Sequence, residues 1–356
     1  TSLLLIEKQK KHDIIKDNID NVSDVKYSKD FNTITFSLEN FNKPKSVFIY
    51  REGTTKKLLE NTMDKELYTW KKQRIVSYKD KFGNSLQGIL FYPKDFTSEK
   101  KYPMITKIYE IQNHLSNRFF YPSYYNSDGF NIELYLKENY FVFLPDILDT
   151  QQGTGLSALH CVEESLKTVL QEESSIDKNS LGLFGFSHGG YETNFIITQS
   201  NLFKTAVSGS GNSDIIRSYF SYNENFIAPF FSQFENGQYK MPTTFKEDKE
   251  LYLINSPILF TDQIKTPLLT FTGKKDENIH WEQQREFFIA MLRYNIPHIA
   301  LFYENEGHGL NDKGNQIDIT TRMINWFDYF LKNKDDKETK WIKYYTTFEK
   351  DRIIKN

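Results

Sequence analysis

Two rhythms of apolar and polar positions divide the chain. Between Asp24 and Tyr50 short apolar runs are broken by turn residues: VKYS (25–28), TITFSL (33–38) and, beyond Pro44, SVFIY (46–50) before Gly53. This punctuation predicts short antiparallel strands. A polar connection over 61–66 then leads to QRIVSY (73–78) and LQGILFY (86–92), which flank KDKFGN and predict a second hairpin. After Pro103 the rhythm changes to strands apolar throughout: MITKIY (104–109), YFVFLP (140–145), SLGLFGF (180–186), TAVSG (205–209), PLLTFTG (267–273) and HIALFY (298–303). Stretches of helical period separate them, at 131–138, 157–171, 189–198, 281–294 and 316–331. Strands apolar on both sides, alternating with helices, predict a mostly parallel α/β sheet covered on both faces. The segment from Asp214 to Leu253, rich in Phe, Tyr and Asn, interrupts the alternation and reads as a cap or helical excursion near the site.

Composition narrows the function. Lysine and arginine total 45 against 47 acids, a net charge of −2 with no basic block, so nucleic acid is not an expected partner. No apolar run reaches the length of a membrane span. The single cysteine, Cys161, excludes an intrachain disulfide and sits within the helical pattern SALHCVEESLKTVL, away from any strand-to-helix turn where a nucleophile is expected. His12, His114, His160, His280 and His298 share no ligand spacing, so no metal and no cofactor are expected. The opening TSLLLIEK has no initiator methionine and too short an apolar run for a signal peptide, and the chain reads as part of something longer.

The strongest chemical signal is Gly185-Phe186-Ser187-His188-Gly189, directly after the strand SLGLFGF and before a helical run opening with Gly190-Tyr191. A serine on a sharp strand-to-helix turn needs neighbours two residues away without side chains, and glycine stands at both places. The turn lifts the hydroxyl out of the sheet, while the backbone N–H of His188, at the helix start, is placed to donate to an oxyanion. A serine nucleophile needs a histidine base held by a carboxylate, in chain order Ser, Asp, His. Asp276 follows the strand PLLTFTG in Gly273-Lys274-Lys275-Asp276, and His308 follows HIALFY in Glu306-Gly307-His308-Gly309. Both lie past strand ends, where ligands bind in open α/β sheets. The pattern predicts an α/β-hydrolase fold with Ser187, His308 and Asp276 as catalytic residues. Glu304, Glu306 and Asp262 are poorer acid candidates by position. The strand MITKIY ends on Tyr109, whose phenol is either a second oxyanion donor or a packed strand-end residue.

These segments resemble the prolyl oligopeptidase family of serine peptidases, which includes dipeptidyl and acylaminoacyl peptidases. The resemblance covers about residues 71–336. It rests on Gly185-Phe186-Ser187-His188-Gly189-Gly190-Tyr191, on Gly273-Lys274-Lys275-Asp276-Glu277-Asn278-Ile279-His280, on Glu306-Gly307-His308-Gly309 and on Tyr109. It implies that Tyr109 completes the oxyanion hole and that peptides are the substrates. It further implies an N-terminal β-propeller that restricts access. Residues 1–70 then read as antiparallel β material resembling its last strands, 71–336 as the catalytic domain and 337–356 as a C-terminal tail, with the rest of a propeller as a possible contact. Similar bacterial members are often exported, which implies a periplasmic or extracellular location. The chain departs from many relatives in reading Tyr109-Glu110-Ile111 where they have tyrosine followed by glycine. Where the aromatic residues of dipeptidyl peptidases hold proline in the first subsite, this chain offers Ser213, Ile216 and Phe220, so a preference for proline is not implied; His188 and Ile279 complete the expected substrate pocket. An esterase or other acyl hydrolase on the same triad, and a non-catalytic scaffold, are the competing readings.

Overall fold

The structure, a computed structural model, describes residues 3–7, 10–15, 20–61 and 71–346. It divides into two compact units, Thr1–Arg74 with His114–Pro122, and Ile75–Asn113 with Ser123–Asn356. The first unit therefore ends a few residues past the expected 70 and takes in a returning stretch that chain order conceals.

In the first unit, β1 (Leu3–Glu7) pairs antiparallel with β2 (Lys10–Ile15). A four-stranded antiparallel sheet follows in the order β3 (Asn21–Tyr27), β4 (Thr33–Asn40), β5 (Lys43–Arg51), β6 (Thr54–Leu59). Ile34, Phe36 and Leu38, at every second position of β4, form its buried face. Phe36 pairs in register with Phe48 and the rings stack at 5.7 Å. The returning stretch is tied in by the Asn21 amide, which donates to the carbonyls of Ser116 and Asn117. Strands β1, β2 and β6 are not among the individual strands that the apolar pattern predicts. In β6, TTKKLL is exposed at every residue, so it lacks the one-sided apolar face that alternation detects. Residues 62–66 of the expected polar connection lie outside the described residues.

The second unit carries an eight-stranded sheet in the order β16-β15-β12-β11-β9-β10-β8-β7. Its first strands are β7 (Gln73–Lys79), which starts two residues before the unit boundary, and β8 (Ser85–Phe91). Next come β9 (Tyr102–Ile108), α1 (Ile132–Lys137), β10 (Phe141–Pro145), α2 (Thr154–Glu172), β11 (Ile176–Phe186), α3 (His188–Gln199) and β12 (Thr205–Gly209). The segment read as an excursion is built from α4 (Ile215–Tyr219), the small hairpin β13 (Tyr222–Asn223) and β14 (Ala228–Pro229), α5 (Phe231–Glu235) and α6 (Lys249–Ile254). The chain closes with β15 (Leu268–Gly273), α7 (Glu282–Arg293), β16 (His298–Tyr303), α8 (Lys313–Lys332) and α9 (Lys340–Thr346). From β10 to β16 neighbouring strands run parallel, and β8 joins β10 antiparallel. Among the described residues no helix is long and apolar enough to cross a membrane.

Both faces of the sheet are buried, as uniformly apolar strands require. Along β11, Leu181 and Leu183 face a core with Val162, Leu166 and Phe195 from α2 and α3. Phe184 turns the other way and stacks on Phe130 at 4.7 Å. On that second face Gly182 leaves no room for a Cβ beside the Phe327 ring of α8. Trp326 is fully buried, and its indole N–H donates to Thr205 Oγ1 at 2.7 Å. Residues 340–346 of the expected tail are helical. They form α9, where Ile342 is fully buried and Trp341 lies 6.4 Å from Trp326, while residues 347–356 lie outside the described residues.

Asp146, directly after β10, fixes the loop that follows β9. It is 1% exposed, and one carboxylate oxygen accepts the backbone N–H groups of Gln112 (2.7 Å) and Asn113 (2.8 Å). The other oxygen takes the Asn113 side-chain amide at 2.8 Å. Asp146→Ala strands these buried donors at once. A loss of about 3 kcal/mol or more in urea-denaturation stability is expected, together with slower reaction at Ser187, since Tyr109 opens the same loop; unchanged stability would show that water replaces the carboxylate.

Candidate active site

Three parallel strands deliver the site. β11 enters the turn at Phe186, and Ser187 takes φ 59° and ψ −117°, a conformation an L-residue adopts only under constraint. The constraint is steric. A Cβ on Gly185 would collide with the carbonyl oxygen of Gly189, and one on Gly189 would collide with the carbonyl oxygen of Ile108 at the end of β9. Only glycine lets the strand, the helix and the neighbouring strand end meet this closely. As the first residue of α3, His188 presents a backbone N–H that has no partner within the helix, the general condition of a helix N-terminus.

His308 stands between Ser187 and Asp276. Its Nε2 is 2.7 Å from Ser187 Oγ and its Nδ1 is 2.8 Å from Asp276 Oδ2. A carboxylate only accepts, so Nδ1 carries the proton and the Nε2 lone pair faces the serine O–H. The other oxygen of Asp276 accepts the backbone N–H groups of Asn278 (2.8 Å) and Ile279 (2.9 Å), which locks the acid to its own turn. The imidazole keeps 22% of its side-chain surface exposed while the Asp276 carboxylate keeps none. The competing acids are committed elsewhere. Glu306 accepts the backbone N–H groups of Asn311 and Asp312, and Glu304 bonds Lys274 at 2.7 Å. Burial pushes the Cys161 thiol up to about 12, which leaves it unreactive.

Tyr109, one residue past β9, lies beside the elbow. Its ring meets that of His188 edge-on at 6.2 Å, and its hydroxyl accepts from Gln238 Nε2 at 2.7 Å. Burial raises the phenol's pKa, so it remains an O–H donor at neutral pH.

The five residues expected in the substrate pocket do not form one lining. Ser213 is fully buried, its hydroxyl donating to the Gln283 carbonyl at 2.8 Å and its N–H to Gln283 Oε1 at 3.0 Å. It is a structural serine. Ile279 is buried with Tyr191, Phe230 and Phe234, and the partly buried Ile216 packs against the same cluster. Phe220 is 69% exposed. The His188 ring is 1% exposed and packs edge-on against Tyr239 at 4.6 Å, so its place is beneath the site.

Under the elbow, Glu192 and His188 form a buried pair at 3.6 Å that the sequence did not signal. The distance suggests an ion pair, but burial holds both groups neutral: it lowers the imidazole to about 3, with the Lys240 charge adding to the effect, and raises the Glu192 carboxyl well above its ordinary value. Burial also raises Asp149 nearby to about 6, against the opposing pull of Lys240. Because Glu192 keeps its proton when folded but ionises near 4.5 when unfolded, its contribution to stability is present at acid pH and declines as pH rises above 4.5. Glu192→Gln removes that decline. Its stability relative to the parent chain should therefore grow from pH 5 to pH 8, by up to about 1.4 kcal/mol per unit, in paired thermal melts; a constant difference would mean that the carboxyl is ionised in the fold.

The comparisons agree with this geometry. A family model described as the prolyl oligopeptidase family matches residues 161–334. Uncharacterized peptidase YuxL of Bacillus subtilis is 23% identical over 298 residues, which is 82% of this chain and 44% of that protein. Dipeptidyl-peptidase 5 of Porphyromonas endodontalis is 23% identical over 264 residues, 70% of this chain and 36% of the relative. The chain thus spans less than half the length of these relatives. The solved structure of Pyrococcus horikoshii acylaminoacyl peptidase superposes with a TM-score of 0.74 at 17% identity, covering 98% of this chain and 54% of that one. That likeness establishes the fold, an α/β-hydrolase. The segment that matches the prolyl oligopeptidase family model holds Ser187, Asp276 and His308.

Proposed function

We propose that this chain is a serine peptidase that hydrolyses peptide bonds in short peptides through an acyl-enzyme. The observation that carries the reading is the continuous hydrogen-bonded line from Ser187 Oγ through His308 to the Asp276 carboxylate. Ser187 Oγ attacks the scissile carbonyl carbon while its proton passes to His308 Nε2, and Asp276 stabilises the imidazolium that forms. The carbonyl oxygen becomes an oxyanion, met by the Tyr109 O–H and the His188 backbone N–H. When the tetrahedral adduct collapses, the C–N bond breaks and His308 returns the proton to the leaving amine. Water then attacks the acyl ester by the same route, with His308 again as base, and frees Ser187. No metal or cofactor enters these steps.

The peptide reading is supported by the relatives' own names, peptidases in each case. The four-stranded antiparallel sheet of the first unit has the strand number of one propeller blade. This supports reading residues 1–70 as propeller-derived, with further propeller as a possible partner that limits substrate size.

The test is active-site labelling with a fluorophosphonate, followed by a panel of peptide and ester substrates. Stoichiometric labelling is expected, lost in Ser187→Ala and reduced by about 10³-fold or more in rate in His308→Ala. Turnover of esters without any peptide would turn the reading to an acyl hydrolase. Absence of labelling in folded protein would exclude an activated serine in this chain.

A further inference from the structure

The excursion places one side chain against the oxyanion machinery. Gln238 Nε2 lies 2.7 Å from Tyr109 Oη and 3.4 Å from Glu110 Oε2. The carboxylate identifies the amide atom: an oxygen in that position would face the Glu110 oxygen with no proton between them, whereas an NH2 offers one N–H to each neighbour. Tyr109 therefore accepts from Gln238. A phenol has a single proton, and once its oxygen accepts from one side that proton is directed elsewhere.

The segment holding Gln238 is built to stay in place. Its neighbours Tyr239 and Met241 are 2% and 4% exposed. Tyr239 packs on Phe234 at 4.4 Å and its hydroxyl accepts from Asn212 Nδ2 at 2.6 Å. Backbone bonds from Tyr239 N to the Gln233 carbonyl (3.0 Å) and from Met241 N to the Phe234 carbonyl (2.8 Å) clamp the stretch on α5. Lys240 adopts φ 43°, a left-handed conformation that a lysine holds only when its surroundings impose it. Its ammonium lies 3.6 Å from both Glu110 and Asp149, so the acids beside Tyr109 face a fixed positive charge. With alternate residues buried as anchors, Gln238 and Lys240 are left facing the Tyr109 loop.

We propose that Gln238 is a positioning residue for the reaction: by donating to the Tyr109 hydroxyl it aims that hydroxyl's proton at the developing oxyanion. This rests on the serine-hydrolase reading and on Tyr109 as oxyanion donor. The Gln238 side-chain amide bonds Tyr109 and Glu110, and it acts through Tyr109. It acts by removing the alternative in which the phenol spends its proton on a nearby carboxylate, and such preorganisation counts because the donor must be aimed before charge develops.

A double-mutant cycle on p-nitrophenyl butyrate hydrolysis, with folding checked by circular dichroism, tests the assignment. Tyr109→Phe is expected to lower kcat by about 100-fold, the scale of one lost oxyanion donor, and Gln238→Leu by about tenfold with KM unchanged. In the Tyr109→Phe background, Gln238→Leu should cost less than about twofold, because there is no longer a proton to aim. Losses that multiply, or an effect confined to KM, overturn the proposal. Gln238→Glu keeps the shape and guards against misfolding of the leucine variant. Its carboxylate accepts the Tyr109 proton when ionised and donates like the amide when protonated, so its kcat relative to the parent chain should rise as pH falls from 8 to 5. A flat ratio overturns the proposal as well. Parent protein that neither hydrolyses the ester nor reacts with a fluorophosphonate removes the hydrolase reading itself, whereas reactive parent protein with multiplicative losses removes only the role of Gln238.

Discussion

Everything at the site depends on how closely three pieces of backbone approach at the elbow. The carbonyl of Ile108, the turn at Gly185 and the first turn of α3 at Gly189 meet with no space for a Cβ. That approach holds Ser187 at a positive φ and brings the end of β9, with Tyr109, beside the start of the helix. Strain of this kind persists only when the surroundings over-determine it. Here they do so through Leu181 and Leu183 on one side of β11 and Phe184 on the other. The core is therefore what sets the angle of the nucleophile.

A second constraint is electrical. The groups beneath the elbow are charged by type but neutral in the fold: burial lowers the His188 imidazole and raises the Glu192 carboxyl. Nearer the surface the Asp276 carboxylate is saturated by two backbone N–H groups and His308. Lys240 offsets Glu110 and Asp149. Charge that develops on the substrate during reaction then meets oriented dipoles in place of competing ions.

What could be read in the sequence was local. The main sheet's central and late strands and the long helices were legible because their apolar periods are strong, and Ser187, Asp276 and His308 because each sits beside glycines just past a strand. Edge strands β1, β2 and β6 were not, and β6 shows why: with no buried face it leaves no pattern. Contacts between distant segments were equally hidden. Gln238 meets Tyr109 across 129 positions, from a stretch of helices five and six residues long with no motif. The family resemblance puts Ser213 in the substrate pocket, yet its partner Gln283, 70 residues on, turns it inward. For His188, adjacency to the nucleophile gives no hint that its ring is buried edge-on against Tyr239.

The excursion touches the machinery at two ends. Its hairpin binds the acid turn, with Asn225 N donating to the Glu277 carbonyl and the Asn223 amide to that of Asn278, while Gln238 holds Tyr109. An inserted or deleted residue between these anchors would displace the base-orienting turn and the oxyanion donor together. A change of length in this segment therefore cannot leave both anchors where they are.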